Sequence, residues 1–257
     1  MSGLAILGIL AFFQGPPSSA PYYTAASIAN TAAAIAGYYA PNSFVTIYGV
    51  NLAFTTAALT ADDISAGMLP TALPGTGVRV LINQIAANLW YVSPGQINLL
   101  VPNYLAAGPA TVQIEVDGVA GPAVPIVLSA VAPAMYETDP TTVLAVHLDG
   151  TTVTTVAPAQ PGEVIVLWAT GLGPTLPQPL PNQAPASAAP LATPGFGVWL
   201  NGTPIDPALI LYAGVTPGYA GLYQINLRLP DPVPRTPQIQ IGWSGQLSPG
   251  QLYLPVE

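Results

Sequence analysis

The chain lacks cysteine and carries very few charged side chains, with three Lys or Arg and eleven Asp or Glu among 257 residues. The absence of cysteine excludes disulfide bonds, thiolate metal sites and cysteine nucleophiles. Charged residues make up 5% of the sequence, whereas ordinary soluble domains contain about 25%. Two interpretations stay open: a secreted protein whose surface is built from Thr, Ser, Gln, Asn and Ala, or a protein whose surface is largely buried in an assembly.

Basic residues are the scarcest group, since Arg79, Arg228 and Arg235 are the only cations in a chain of net charge −8. A surface without a basic patch offers little to the phosphates of nucleic acids or to an anionic membrane. We therefore expect no nucleic-acid partner and no membrane-surface partner.

Glycine and proline, in contrast, are abundant, with 25 and 31 residues respectively. Proline at this density is incompatible with long helices. The short runs between the prolines are rich in Val, Ile, Leu, Tyr and Thr, which is the composition of strands. The sequence therefore predicts an all-β fold of many short strands.

Residues 4–13 form a wholly apolar run, LAILGILAFF. A membrane span needs roughly 18 or more such residues, so we expect no span here. The length fits the hydrophobic region of a signal peptide, with a cleavage site at Ser18-Ser19-Ala20. It also fits a strand that adds to the sheet of a neighbouring subunit. In that case the subunit contacts come from the large side chains, Leu4, Ile6, Leu7, Ile9, Leu10, Phe12 and Phe13.

The rest of the chain repeats itself once. Matching pieces recur in the same order about 120 to 128 residues apart, which indicates duplication of one large unit rather than a solenoid of short repeats. The matches are residues 41–52 with 161–172, 77–80 with 197–200, 96–98 with 224–226, Pro102 with Pro230, and 113–118 with 240–245.

Each unit is predicted to be an immunoglobulin-like β-sandwich. Apolar and polar residues alternate in residues 111–116, which is typical of half-buried antiparallel strands, and Gly and Pro separate such strands at short intervals. We expect an apolar N-terminal arm at 1–21 and two tandem domains at 22–133 and 134–257. Asn83 and Asn201-Gly202 are candidate hairpin turns.

Two longer segments, residues 53–76 and 174–195, occupy equivalent places in the two units. The second is too rich in proline for a helix or a central strand, so we expect an extended surface loop of polyproline character. A passive crossover between the two sheets of a sandwich is the simplest interpretation, and a binding role is the alternative.

The ordered motifs YVSPGQINLLVP, ATGLGP and LYQINLRLP resemble one family. Together they are similar to the uncharacterised Solibacter C-terminal domain family of secreted bacterial proteins, over about residues 22–257, and more distantly to IPT/TIG domains. The resemblance implies extracellular, immunoglobulin-like modules without catalytic activity, and it supplies no catalytic residues.

Candidate catalytic and metal-binding residues are sparse. His147 is the only histidine, and a triad would need an acid such as Asp139, Asp149 or Asp206; we interpret it instead as a solvent-facing residue on a strand. The pair Asp62-Asp63 lacks the spacing of a calcium loop, so helix capping or solubility explains it better. We expect no enzyme activity, cofactor or metal.

The repeated Gln-Ile-Asn is interpreted as a structural motif. Ile97 and Ile225 are predicted core residues, while the flanking amides bond loop backbone and close one end of each sandwich. The following prolines end the strand. The motif residues are Gln96, Ile97, Asn98 and Pro102 in the first unit, and Gln224, Ile225, Asn226 and Pro230 in the second.

Two functional hypotheses follow. The first is a structural subunit of an extracellular, pilus-like filament, in which residues 4–13 join a neighbouring subunit and the partner is a head-to-tail homopolymer. The second is a monomeric secreted adhesion or binding module, with a cleaved signal peptide and a surface glycan or protein as its partner.

Overall fold

The computed structural model describes residues 20–257. These residues form an all-β structure, as predicted, in which helical turns are limited to three short 3-10 segments, Ala25–Ser27, Ala61–Asp63 and Pro207–Leu209. Within this range no helix is long and apolar enough to cross a membrane. The proposed subunit contacts at residues 4–13 lie outside the described residues.

The first half of the chain folds into two packed sheets. Its strands are β1 (Ile28–Asn30), β2 (Phe44–Tyr48), β3 (Ala57–Ala58), β4 (Val78–Ile82), β5 (Ile85–Ala86), β6 (Asn88–Val92), β7 (Gln96–Leu100), β8 (Gly108–Val116), β9 (Val119–Ala120) and β10 (Val124–Leu128). One sheet has the order β1-β2-β7-β6-β3, and the other has the order β10-β8-β4-β5 with β9 beside β8. Apolar side chains such as Ile47, Leu89 and Ile114 form the core between them.

The second half repeats this arrangement. Its strands are β11 (Ala134–Met135), β12 (Glu137–Asp139), β13 (Thr142–Val143), β14 (Ala145–His147), β15 (Val164–Thr170), β16 (Ala189–Pro190), β17 (Gly197–Leu200), β18 (Thr203–Pro204), β19 (Ile210–Val215), β20 (Tyr223–Arg228), β21 (Ile239–Trp243) and β22 (Gln246–Leu247). The sheets are β11-β15-β20-β19-β16, with β14 beside β15, and β18-β17-β21-β22; β12 and β13 form a separate hairpin. Leu167, Val198 and Ile241 belong to a second core.

The chain therefore consists of two tandem immunoglobulin-like sandwiches, here called domain 1 and domain 2. Strands β2, β7, β6 and β3 have the same order as β15, β20, β19 and β16. The predicted hairpin turns are present, because Asn83 and Gln84 between β4 and β5, and Asn201 and Gly202 between β17 and β18, have positive φ, as a type I′ turn requires. The boundary between residues 133 and 134 stays a prediction; the two cores lie on either side of it.

The two domains meet at a packed junction. Phe44 and Leu100 of domain 1 lie against Gly221 of domain 2, where a Cβ atom would come within 2.3 Å of Leu100 Cδ1. The junction also contains Leu69, Trp90 and Ala220, and the Phe44 and Trp90 rings are 4.9 Å apart, edge to face. Only glycine fits at position 221, because its φ of 73° is also unfavourable for other residues.

The equivalent long segments contribute to the same junction. The Leu69 amide donates to the Asn182 carbonyl at 2.8 Å, and the Ala184 amide donates to the Gly67 carbonyl at 3.1 Å. The proline-rich segment 174–195 crosses between the two sheets of domain 2, as expected, but it is not passive, because it also joins the domains. It does so because its prolines keep it extended, with free carbonyls that the other domain can use.

In each described sandwich, the C-terminal strand of the same domain covers the sheet edge beside β8 or its equivalent, β21. In domain 1 this is β10, beside β8. In domain 2 the C-terminal residues take the same place, since Tyr253 bridges Gln238 and Val256 bridges Ala159. Neither core is left open along this edge.

Candidate ligand-binding surfaces

The repeated Gln-Ile-Asn lies in the centre of a sheet in both domains. Ile97 and Ile225 are completely buried in the two cores. The amides point to the opposite face and bond each other: Gln96 Nε2 donates to Asn98 Oδ1 at 2.8 Å, and Gln224 Nε2 donates to Asn226 Oδ1 at 2.7 Å. The expectation that these amides bond loop backbone is therefore wrong, because residues two apart on a strand share a face and lie within reach of each other. The prolines 102 and 230 lie two residues beyond β7 and β20.

Aromatic side chains flank the amide pair in both domains. In domain 1, Tyr48 of β2 lies opposite Gln96, and Tyr91 of β6 lies opposite Asn98. In domain 2, Trp168 of β15 lies opposite Gln224, and Tyr212 of β19 lies opposite Asn226. The duplication thus reproduces a whole group of side chains on the outer face of the sheet.

The exposure of this group differs between the domains. Tyr48 is 51% exposed, and Val50, two residues on, shares its face. Tyr22, which is 63% exposed, pairs with Val50 through two backbone hydrogen bonds of 2.9 Å. In domain 2, Trp168 is half-buried and the Tyr212 hydroxyl donates to the Val215 carbonyl at 2.7 Å. We call the residues Tyr22, Tyr48, Tyr91, Gln96 and Asn98 the aromatic face.

The aromatic face contains no Asp, Glu, Lys, Arg or His and is rich in hydrogen-bonding groups. The Gln96–Asn98 bond uses one amide hydrogen and one amide oxygen, so Gln96 Oε1 and Asn98 Nδ2 keep further bonding capacity. Tyrosine rings present a flat apolar surface with a polar hydroxyl at the edge. Such a surface suits a neutral ligand that carries both apolar faces and hydroxyl groups.

A cleft of about 440 Å³ opens between the two domains. Domain 1 contributes Asn42, Asn103 and Tyr104, and domain 2 contributes Thr175 and Gln178. Its remaining walls are Pro, Leu, Ala and Gly, and no Asp, Glu, Lys, Arg or His lines it. Ligand sites often occupy such concave regions at domain interfaces.

Buried hydrogen bonds hold the two sides of the cleft together. Asn42 Nδ2 donates to the Tyr223 hydroxyl at 3.0 Å, and that hydroxyl donates to the Gly173 carbonyl at 2.5 Å. Tyr223 is fully buried, and this burial raises the pKa of its phenol. Nearby, the Phe44 amide donates to Thr170 Oγ1 at 3.1 Å. The junction is therefore fixed by specific contacts, which gives the cleft a defined shape.

His147 is not the solvent-facing residue that the sequence suggested. Its side chain is only 18% exposed, and its Nδ1 lies 2.6 Å from Glu163 Oε1. The hydrogen bond to Glu163 raises the pKa of His147, and the nearby charge of Asp149 adds to this. Its Nε2 contacts the Ala157 carbonyl, so none of the three aspartates considered, nor a hydroxyl nucleophile, is hydrogen-bonded to the ring.

The acidic pair at positions 62 and 63 has a local structural role. Asp63 Oδ2 accepts hydrogen bonds from the Thr60 amide at 2.8 Å and from the Thr60 hydroxyl at 2.7 Å. These bonds lower the pKa of Asp63 and cap the short helical turn, as interpreted from the sequence. Across residues 20–257, no group of three or more His, Cys, Asp or Glu side chains is arranged to hold a metal ion.

Comparison with known proteins yields likeness at the level of fold. No family model matches the chain, and no curated protein matches it. Solved structures that match include the surface glycan-binding protein PbSGBP-B from Prevotella bryantii, with 12% identity and a TM-score of 0.29 over 90% of this chain. The SGBP-B of the Bacteroides ovatus mixed-linkage glucan utilization locus has 10% identity and a TM-score of 0.33 over 86% of it.

A third match is the tandem Ig repeats of Dlar, with 12% identity and a TM-score of 0.20, covering 85% of this chain and 92% of that one. The chain spans less than half the length of the two glycan-binding proteins, 41% and 44% respectively. At these identities the likeness concerns the immunoglobulin-like fold alone.

Proposed function

We propose that the protein is an extracellular, immunoglobulin-like binding module whose aromatic face recognises a neutral glycan. The observation that carries the proposal is the combination of two widely exposed tyrosines, Tyr22 and Tyr48, with the adjacent Gln96–Asn98 amide pair. Sugar rings have apolar C–H faces that pack on aromatic rings, and hydroxyls that bond to amides. No charged side chain belongs to the face, which favours a neutral ligand over an acidic one.

The architecture supports this function because Tyr48, Tyr91, Gln96 and Asn98 lie on strands of one sheet. Tyr48 and Gln96 are neighbours on the paired strands β2 and β7, whose inward residues Ile47 and Ile97 are fully buried. Binding groups on strands lose little conformational freedom when a ligand binds. An open sheet face of this kind fits a glycan chain better than a single sugar.

Measuring the binding of neutral hexasaccharides tests the proposal. Isothermal titration with cellohexaose, xylohexaose and maltohexaose should detect binding of at least one, and Tyr48→Ala should weaken it about tenfold or more, equivalent to roughly 1.4 kcal/mol. Tyr219→Ala is the matched control, because Tyr219 is as exposed as Tyr22 but lies outside the face. Hexagalacturonate should not bind. Absence of binding to all three neutral sugars, or equal losses in both variants, would refute the proposal.

Extracellular localisation is part of the same proposal. Residues 4–13 have the length of a signal-peptide hydrophobic region, followed by a small-residue cleavage site. N-terminal sequencing of protein from its native source should then find a start near Pro21.

We also propose, from the motifs quoted above, that the chain is related to the Solibacter C-terminal domain family.

A filament subunit is the second candidate, and the apolar run at 4–13 together with the low charge favours it. Since both sandwiches contain their own last strand, a donated strand would join a sheet edge rather than fill an open core. Electron microscopy of the intact chain and of a variant without residues 1–15 tests this. The filament requires fibres from the intact chain only, and an N-terminus that is retained.

A further inference from the structure

We propose that the cleft between the domains is a second ligand site, which takes a small neutral polyol or a saccharide of one or two rings. Its volume of about 440 Å³ lies within the usual range for small-molecule sites. The inference shares the ligand class of the proposed function, but its site is separate. Strand β2, which runs from Phe44 near the cleft to Tyr48 on the aromatic face, is about 14 Å long.

The lining of the cleft determines the ligand chemistry. Tyr104 is 44% exposed and offers a ring face and a hydroxyl, while Gln178 and Asn103 offer amides. Because the cleft contains no ionisable group other than tyrosine, a charged ligand would lose its hydration without gaining a counter-charge. A neutral molecule with several hydroxyl donors suits it best.

Asn103 supplies the sharpest evidence for a donor-bearing ligand. Its Nδ2 donates to the Pro179 carbonyl at 2.9 Å, which fixes the orientation of the amide. Its Oδ1 is buried and accepts no hydrogen bond within the described residues. A buried acceptor without a donor costs about 1–3 kcal/mol, so a ligand hydroxyl that donated to Oδ1 would remove this cost.

Binding in the cleft is expected to stabilise the junction. Asn103 belongs to domain 1 and Gln178 to domain 2, and Gln178 Nε2 already donates to the Asn103 carbonyl at 3.2 Å. A ligand held by both sides binds the assembled junction better than separated domains. Linkage then requires that it raise the thermal stability of the intact protein.

The test uses the full chain with cellobiose, N-acetylglucosamine and myo-inositol as probes. We expect at least one to raise the melting temperature and to shift amide resonances of residues 103–107 and of Gly173, Thr175 and Gln178. Tyr104→Ala should weaken that binding about tenfold, and Tyr104→Phe should restore most of it by keeping the ring. Tyr219→Ala should leave binding unchanged.

The same experiments distinguish binding at the aromatic face from binding in the cleft. Tyr48→Ala should weaken hexasaccharide binding about tenfold or more and leave cleft binding intact, whereas Tyr104→Ala should weaken cleft binding about tenfold and leave hexasaccharide binding intact. If the wild type bound none of the hexasaccharides while cellobiose still shifted the amide resonances of residues 103–107, the proposed function would be refuted and this inference would stand. No response to any of the three probes at millimolar concentration, or a response insensitive to Tyr104→Ala, would overturn the inference.

Discussion

Domains 1 and 2 carry the same group of side chains on the same strands, yet they present it differently. In domain 1 the tyrosine opposite Gln96, Tyr48, is 51% exposed, and a second exposed tyrosine, Tyr22, extends the surface. In domain 2 the equivalent Trp168 is half-buried, and the next outward residue on its strand, Thr170, is buried in the junction. Duplication preserved the architecture of the strand, while the exposure of the equivalent aromatic positions, Tyr48 and Trp168, came to differ.

The largest expected effect concerns what the domains share. Ile97→Ala and Ile225→Ala each remove a fully buried side chain from the centre of a core, so each should lower the free energy of unfolding by about 2–5 kcal/mol. Denaturant titration of both variants measures this. If one substitution cost less than about 1 kcal/mol, the two strands would not be equivalent in their cores.

The next largest effect on stability is expected from a substitution at the junction between the domains. Gly221→Ala would bring a Cβ within 2.3 Å of Leu100 Cδ1, and we expect a loss of about 1–3 kcal/mol from overpacking and strain. Gly218→Ala is the matched control, because Gly218 has a similar φ of 81° and no atom within 4 Å of its added Cβ. Calorimetry should show a larger loss for position 221, and equal losses would mean that the contact between the domains is not tight.

A smaller effect on stability is expected from the equivalent glutamines Gln96 and Gln224, and only one of them should affect binding. Gln96→Ala and Gln224→Ala each break one side-chain hydrogen bond on a half-buried face, so each should cost about 0.5–1.5 kcal/mol. The stability losses should match, but only Gln96→Ala should weaken hexasaccharide binding. A binding loss of equal size in both variants would show that the two faces are equally accessible.

The smallest effect is a pH dependence linked to histidine, which belongs to domain 2 because the single histidine lies there. The bond to Glu163 raises the pKa of His147, so the folded state favours the charged ring. Its stabilising contribution is present below the ordinary histidine pKa and is lost as the pH rises through the raised value. We expect less than about 1 kcal/mol. Melting curves between about pH 5 and about pH 9 should show this loss in the wild type and not in His147→Gln.

The sequence was sufficient to predict the fold class and the inward residues of the strands. Alternation in β8 places Val112, Ile114 and Val116 in the core, because the pleat of a strand ties side-chain direction to position. The repeat likewise identified Ile97 and Ile225. Periodicity is a local property, and local properties are what a sequence displays directly.

The candidate sites could not be predicted in the same way. The cleft depends on contacts such as Asn42 with Tyr223, which lie 181 residues apart, and no local pattern encodes the angle between domains. The sequence suggests aspartates as acidic partners of His147, whereas Glu163 reaches it because β14 pairs with β15. One signal is available for the aromatic face: an aromatic residue lies near the end of the apolar run in both units, at Tyr48 and at Trp168.

The central claim is that only domain 1 presents its copy of the aromatic and amide group to a glycan. Titration of the isotope-labelled intact protein with the hexasaccharide that binds most tightly, followed by amide resonances, tests this most directly. We expect the largest shifts at Tyr22, Tyr48, Gln96 and Asn98, with the resonances of Trp168 and of the other residues of the domain 2 copy unchanged. Shifts concentrated on the domain 2 copy, or none at all, would contradict it.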